Sequence, residues 1–235
     1  MRGAGACGDA LAAVVAGSPR DSDTRPRRPN QRPRDSEKLT IGSLDTPENT
    51  AAVGGRRGWL REVKRLDAAV YGAIAATPTP RLDRAMRALS HAADYSRLSI
   101  ASAAILGAAG GTGGRRAAAA GLASVAATSA TVNILVKPLA RRRRPDRTAA
   151  TVPLQRQVPM PSSRSFPSGH AAAAVAFASG ASSVVPGLGL PLHALAALVS
   201  YSRIHTGVHF PGDVVAGTLI GSAVADLTTS AIARH

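Results

Sequence analysis

Aromatic residues, cysteines and acidic side chains are all scarce in this 235-residue chain. Only 3% of the residues are aromatic, and a single cysteine, Cys7, excludes an intrachain disulfide. Lysine and arginine number 29 against 14 acidic residues, which gives a formal net charge of +15. Such a charge fits an anionic substrate, an anionic membrane surface or nucleic acid. Because few aromatic residues interleave with the arginines, a base-stacking nucleic-acid surface is not expected.

The first 58 residues contain little that a folded core would bury. Arg, Pro, Asp, Ser and Thr dominate residues 18–58, and this composition is typical of disorder. Asp9 interrupts the small apolar run near the start, so residues 1–17 make a poor signal peptide. We therefore divide the chain into a disordered basic tail, residues 1–58, and a membrane-embedded domain, residues 59–235.

Two amphipathic helices are predicted at the start of this domain. In residues 59–77, apolar side chains recur at helical spacing, with basic residues between them. The apolar part is too short to cross a bilayer, which takes about 20 residues, so an interfacial helix is predicted. Two prolines end this helix, and residues 81–97 form the second amphipathic helix.

Five further segments are apolar or small and nearly free of charge. They are residues 98–111, 117–136, 171–190, 192–201 and 214–233. The run lengths favour transmembrane helices, and the many small residues suit close helix packing. The predicted fold is all-α: a membrane bundle of about five spanning helices after one or two interfacial ones. The competing interpretation is a soluble all-α protein that buries the same helices.

Residues 202–213 carry the strongest chemical signal in the chain. They include Arg203, His209 and Asp213, which are a cation, a possible nucleophile and a carboxylate. Pro211 suits the first turn of the following helix, where its missing N–H costs nothing. Asp213 then lies one helical turn from His209. Its carboxylate can accept the N–H of one ring nitrogen and leave the other free to attack.

Two more stretches of the chain carry residues that could act together with Arg203, His209 and Asp213. Lys137 and Arg144 bracket an arginine-rich run, and residues 167–170 read Pro-Ser-Gly-His. Together the three resemble the signature motifs of the type 2 phosphatidic acid phosphatase superfamily. Those motifs are Lys-x6-Arg-Pro, Pro-Ser-Gly-His and Ser-Arg-x5-His-x3-Asp, and here they occur in the family's order and spacing. The resemblance covers about residues 60–230.

The resemblance implies phosphoryl transfer without a metal or another cofactor. In the mechanism it implies, His209 attacks phosphorus to form a phosphohistidine, and Asp213 holds its ring. His170 protonates the leaving alcohol and afterwards activates water. The residues expected to bind the substrate phosphate are Lys137, Arg144, Arg203, Ser168 and Gly169.

The arginines between Lys137 and Arg144 have no place in the motif. We interpret Arg141, Arg142 and Arg143 as charges that face lipid headgroups. His205 has no motif role either, and we interpret it as structural or adjacent to the site.

Alternation of five helices across a membrane brings all three motifs to the same face. The end of the second segment, the start of the third, the end of the fourth and the start of the fifth share that face. The bacterial members of the family usually place the site outside the cytoplasm. The expected location is therefore the cell membrane, multi-pass, with an extracytoplasmic site.

The predicted function is a membrane phosphatase that hydrolyses a lipid phosphate or pyrophosphate of the phosphatidic acid or polyprenyl type. The same three motifs also resemble those of soluble acid phosphatases and vanadate-dependent haloperoxidases, which are the alternative interpretations. A non-enzymatic basic membrane scaffold is a third interpretation, although such a protein has no need of the intact set of Arg203, His209 and Asp213. The motifs recognise only the phosphate, so they identify neither the lipid nor the oligomeric state.

Overall fold

The fold is that of a computed structural model, which describes residues 56–234. Every regular element in that range is helical, which confirms the all-α prediction. The α-helices are α1 (Arg56–Ala76), α2 (Pro80–Ala92), α3 (Arg97–Ala109), α4 (Gly111–Ala130), α5 (Lys137–Leu139), α6 (Gly169–Val184), α7 (Gly189–His205) and α8 (Pro211–Ile232). A π-helical turn, Thr131–Val136, joins α4 to α5, and 3-10 helices occur at Asp94–Ser96, Leu154–Arg156 and Pro186–Leu188. Most of the predicted tail, residues 1–55, lies outside the described residues.

The helix ends differ from those that the sequence predicts. The second amphipathic helix ends at Ala92 rather than Arg97, because Tyr95 and Ser96 have φ angles of 55° and 57° that interrupt it. Residues 112–116, which separate the first two predicted apolar segments, are helical. The chain reverses at Gly111, whose φ is +58°, so α4 begins there and includes both arginines of that stretch.

Helix α6 is the centre of the bundle, and α3, α4, α7 and α8 pack around it. Nine of its sixteen residues are buried, and most of these are alanines. Because these side chains are small, the neighbouring helices approach closely. A Cβ atom added at Gly180 of α6 would lie 2.7 Å from the carbonyl oxygen of Ala120 in α4. The α4–α6 contact therefore requires glycine at this position.

Large apolar side chains point away from this bundle. Exposed examples are Ile100 and Ile105 on α3, Leu122 on α4, Leu198 on α7, and Leu219 and Leu227 on α8. A soluble helical protein buries its large apolar face, whereas lipid accepts such a surface. Among the described helices, two are long and apolar enough to cross a bilayer, Gly111–Leu139 and Pro211–Ile232. The other three apolar helices have 13 to 17 residues, so five spanning helices remain a prediction.

Helices α1 and α2 lie at the end of the bundle where α7 ends and α8 begins. Tyr71 of α1 packs its ring against Phe210, with 5.3 Å between the centroids, and donates a hydrogen bond to the Gly207 carbonyl. The opposite face of α1 exposes Trp59 and Leu66. The described residues thus cover only one side of α1, and its place in the membrane interface stays a prediction.

The close approach of α4 and α6 makes a stability prediction. Gly180→Ala should destabilise the protein by about 1–3 kcal/mol, because the added methyl group overlaps the α4 backbone. Thermal unfolding of the purified protein in detergent measures this as a lower Tm. The matched control is Gly72→Ala on α1, where an added Cβ would meet nothing within 4 Å. An equal Tm for the two variants would contradict the predicted packing.

Candidate active site

The three motifs meet at one end of the bundle. Lys137 lies in α5, and Arg144 lies in the loop that follows. His170 is in the first turn of α6, and Arg203 is in the last turn of α7. His209 precedes α8, and Asp213 is in its first turn. Hydrogen bonds and ion pairs join these residues into one site.

His209 and Asp213 face each other across the start of α8. Nδ1 of His209 lies 3.6 Å from Oδ2 of Asp213 and makes no hydrogen bond within the part of the chain that the structure describes. Catalytic hydrogen bonds are often long before substrate binds and shorten in the complex. The other ring nitrogen, Nε2, lies 3.3 Å from Nη1 of Arg144. The ring nitrogen that does not face Asp213 therefore faces a cation.

The surroundings of His209 favour the neutral ring. Burial lowers the pKa of His209 to about 4, and the positive charges of Arg144 and Arg203 act in the same direction, against the effect of Asp213. Burial also lowers the pKa of Arg144, although a guanidinium remains charged in proteins. At pH 7 the ring is thus neutral, which is the state a nucleophilic nitrogen requires.

Three donors hold the carboxylate of Asp213, which is fully buried. The Phe210 N–H donates to Oδ2 at 3.0 Å, and the hydroxyl of Ser165 donates to the same oxygen. Arg142 donates from Nη1 to Oδ1 at 3.0 Å. These donors replace the water that a buried carboxylate loses, and they fix its position relative to His209.

The interpretation of Arg142 as a headgroup-facing charge is wrong. Its guanidinium bridges Asp213 and Asp67 and lies 4.2 Å from the centre of the Phe210 ring. The neighbouring arginines on both sides are exposed, and their contact with headgroups stays a prediction. Nothing in the run of four arginines distinguishes the second one, because its two partners come from distant parts of the chain.

Lys137 and Arg144 converge on Ser163. Arg144 donates from Nε to the Ser163 carbonyl at 2.8 Å, and its Nη2 lies 3.2 Å from the hydroxyl. Lys137 Nζ lies 3.4 Å from the same hydroxyl. A Cβ atom added at Gly169 would lie 3.7 Å from that Nζ, so the lysine also borders the N-terminus of α6. The unpaired N–H groups at the start of a helix favour binding of an anion. The positive charges of Lys137 and Arg144 favour it as well.

Asp94 organises the opposite side of the site, and no sequence pattern predicted this role. Its Oδ1 lies 2.9 Å from Nε2 of His170 and 3.8 Å from Nη1 of Arg203. Arg203 is buried and also donates to the hydroxyl of Ser90. Because Asp94 lies between α2 and α3, 76 residues before His170, no local motif connects the two.

Ser168 is the N-cap of α6. Its hydroxyl accepts the Ala171 N–H at 3.5 Å, and its own N–H donates to the Asp213 carbonyl at 2.9 Å. The side chain is fully buried. These contacts join the start of α6 to the start of α8, whereas contact of Ser168 with a phosphate stays a prediction.

His205 belongs to a separate buried cluster. Its Nε2 lies 2.8 Å from Oδ1 of Asp83, which also pairs with Arg156 at 3.0 Å. Arg156 in turn donates to the carbonyls of Ile74 and Thr77 at the end of α1. His205 thus joins α7 to α1 and α2 and makes a structural contact beside the site.

A cavity of about 500 Å³ adjoins the motifs. Lys137, Gly169 and His170 line one part of it, and the remaining lining comes from α3, α4, the π-helical turn, α6, α7 and the segment before α3. Three polar side chains of that lining are Ser99, Ser129 and Asn133. Among side chains 58–234, no three His, Cys, Asp or Glu residues are grouped as a metal site requires.

Residues 117–235 match the model of a family described as the PAP2 superfamily. The chain is 39% identical over 99 residues to decaprenylphosphoryl-5-phosphoribose phosphatase of Mycobacterium tuberculosis. That alignment covers 42% of this chain and 52% of that protein. The chain thus spans about half the length of the curated relatives it matches.

Two solved structures have a similar fold. One is a transmembrane PAP2 type phosphatidylglycerolphosphate phosphatase from Bacillus subtilis, with a TM-score of 0.57 and 26% identity over 74% of this chain and 87% of that one. The other is LpxE from Aquifex aeolicus, with a TM-score of 0.57 and 25% identity over 70% of this chain and 95% of that one. The transmembrane neighbour and the two apolar helices indicate a membrane location.

The buried setting of His209 makes a titration prediction. Its ring should titrate near pH 4, well below the usual value of about 6.5. NMR of histidine-labelled protein in detergent measures this, and the variant His209→Asn assigns the signal. Because the pKa is lower in the folded state than in the unfolded state, this group stabilises the fold above pH 6.5, and the stabilisation is lost as the pH falls towards 4. A signal that titrates near 6.5 would contradict this.

Proposed function

Because the chain belongs to the PAP2 superfamily, we propose that it is a membrane phosphatase that hydrolyses a lipid phosphate or pyrophosphate through a phosphohistidine at His209. The family match confirms the resemblance that the three motifs predicted. One observation carries the mechanism: the attacking nitrogen of a buried, neutral His209 lies 3.3 Å from the Arg144 guanidinium. A phosphoryl group held by that cation is presented to the nitrogen.

In the first step, the lone pair of His209 Nε2 attacks phosphorus and the bond to the lipid oxygen breaks. His170 gives its proton to that oxygen, so the lipid leaves as an alcohol. Lys137, Arg144 and Arg203 hold the negative charge that spreads over the phosphoryl oxygens. The phosphorylated ring is cationic, and the Asp213 carboxylate beside its Nδ1 stabilises it.

In the second step, water attacks the phosphohistidine. His170 accepts a proton from the water, the phosphorus–nitrogen bond breaks, and phosphate leaves. Asp94, 2.9 Å from Nε2 of His170, orients that ring and stabilises its protonated form. The other ring nitrogen, Nδ1, is then the one left to exchange protons with the lipid oxygen and with water.

We assign the cavity beside Lys137 and His170 to the leaving alcohol. Similar proteins are named for decaprenylphosphoryl-5-phosphoribose and for phosphatidylglycerolphosphate, in which a ribose or a glycerol carries the phosphate. Hydrogen-bonding side chains line the cavity: Ser99, Ser129 and Asn133. They favour a hydroxylated headgroup over an unsubstituted polyprenyl phosphate, whose alcohol has no further hydroxyl to bind.

We place five helices, α3, α4 to α5, α6, α7 and α8, across the membrane, with α1 in the interface. The outward Leu and Ile side chains support this and argue against a soluble acid phosphatase. Arg115 and Arg116 lie near the start of α4, at the opposite end from Lys137. Positive residues favour the cytoplasmic side, so we assign the site to the extracytoplasmic face. In this proposal the membrane domain begins with α1 at Arg56, three residues before the boundary that the sequence predicts.

A substrate panel tests the reaction. Detergent-solubilised protein with EDTA should release phosphate from at least one lipid well above its rate on an aryl phosphate, and vanadate should block the release. The panel holds phosphatidic acid, phosphatidylglycerophosphate, a polyprenyl phosphate and diphosphate, and a polyprenyl-linked phosphosugar. Cleavage of the aryl phosphate alone would favour a soluble-type phosphatase. Silence across the panel would contradict the proposed reaction.

His209 has no substitute in this mechanism. His209→Ala should lower kcat by roughly a thousandfold or more, because the group that forms the covalent bond is lost. The matched control is His193→Ala, which removes an exposed histidine on α7 and should leave kcat unchanged. Undiminished hydrolysis by His209→Ala, with the same Tm as the wild type, would remove His209 from the mechanism.

A further inference from the structure

Asp67 lies on α1, outside the three motifs and outside the residues that match the family. Its side chain is only 7% exposed, although the helix around it faces outward. Its Oδ1 accepts the Gly212 N–H at 2.7 Å, and its Oδ2 pairs with Nη2 of Arg142. Burying a carboxylate costs free energy unless its oxygens are paired, and here both oxygens have a partner. The contact therefore fixes α1 against the start of α8.

Arg142 continues this contact to the catalytic pair. The nitrogen that does not reach Asp67 donates to Oδ1 of Asp213 at 3.0 Å, and Oδ2 of Asp213 lies 3.6 Å from His209. Four groups thus lie in a row: Asp67, Arg142, Asp213 and His209. The charges of the first three sum to one negative charge beside the ring.

The start of α8 fits closely against Asp67. A Cβ atom added at Gly212 would lie 3.1 Å from Oδ2 and 3.4 Å from both Cγ and Oδ1 of Asp67. The Gly212 N–H belongs to the first turn of α8, whose N–H groups have no partner within the helix. Asp67 therefore caps the helix that carries Asp213, from another part of the chain.

We propose that Asp67 is a positioning residue for phosphoryl transfer, acting through Arg142 and the Gly212 N–H on Asp213. This rests on the proposed function. Without Asp67, Arg142 neutralises Asp213 completely, and the carboxylate stabilises the cationic phosphorylated ring less well. The hydrogen bonds and ion pairs of Asp67 go to Arg142 and Gly212, and none goes to the three cations proposed to bind phosphate, as far as the described residues show.

The test is Asp67→Asn, which keeps an oxygen for the Gly212 N–H but removes the charge. We expect kcat to fall roughly 10- to 100-fold, which is the usual loss when a residue that orients a functional group is changed. KM should not rise. The matched control on the same helix is Glu62→Gln, an exposed carboxylate paired only with Arg65 among its described neighbours. It should change neither value. A kcat within twofold of wild type, or a rise in KM that follows a loss of Tm, would overturn the proposal.

A double variant tests the route through Arg142. In an Arg142→Gln background, Asp67→Asn should lower kcat no further, since the charge it removes acts on Asp213 through that guanidinium. Additive losses would overturn the route.

A readout that does not depend on turnover separates this proposal from the proposed function. Asp67→Asn should lower the pKa of His209 in an NMR titration, because one negative charge near the ring is lost, and Glu62→Gln should not. If the wild type hydrolyses no substrate, while Asp67→Asn still lowers the pKa of His209, the proposed function fails. The electrostatic link from Asp67 to His209 is then retained. If the wild type is active and neither kcat nor this pKa responds, the positioning role fails alone.

Discussion

The buried charge of Asp213 determines how this end of the molecule is built. Taking an unpaired carboxylate out of water costs several kcal/mol, so every neighbour must help to compensate for it. Ser165 and Arg142 come from the loop between α5 and α6, and the Phe210 N–H comes from the start of α8. Arg142 in turn needs a second carboxylate, which α1 supplies. One charge thereby holds the loop, two helices and His209 in a fixed arrangement.

The small residues of α6 make this arrangement possible. Helices α4 and α8 approach α6 until backbones meet, at Gly180 of α6 and at Gly217 and Gly221 of α8. The Ser168 N–H then reaches the Asp213 carbonyl. The bundle then directs its large apolar side chains outward, where a membrane can accept them. Close packing and the membrane surface are thus two results of the same composition. The helix ends collect at one side because the chain alternates direction.

The sequence predicted the parts of the site that depend on spacing along the chain. Helical periodicity located the main helices, and the motifs located His209 and Asp213 one turn apart. Periodicity could not locate the helix ends that depend on single positive φ angles, such as that of Gly111. The sequence also could not predict Asp94 or Arg142 as partners, because those contacts join residues about 70 to 76 positions apart. Local pattern carries the reacting groups, while tertiary packing chooses the groups that orient them.

We propose that a neutral, buried His209 receives the phosphoryl group, and trapping the covalent intermediate is the sharpest test. The protein is mixed with a lipid that it hydrolyses in the substrate panel, labelled with ³²P at the transferred phosphate. The reaction is quenched in alkali within one turnover, and the protein is then digested and its labelled peptide is sequenced. We expect an alkali-stable, acid-labile label on the peptide that contains His209, and no label in a sample quenched after the substrate is exhausted. A label on another residue, or full turnover with no labelled protein at any time, would contradict it.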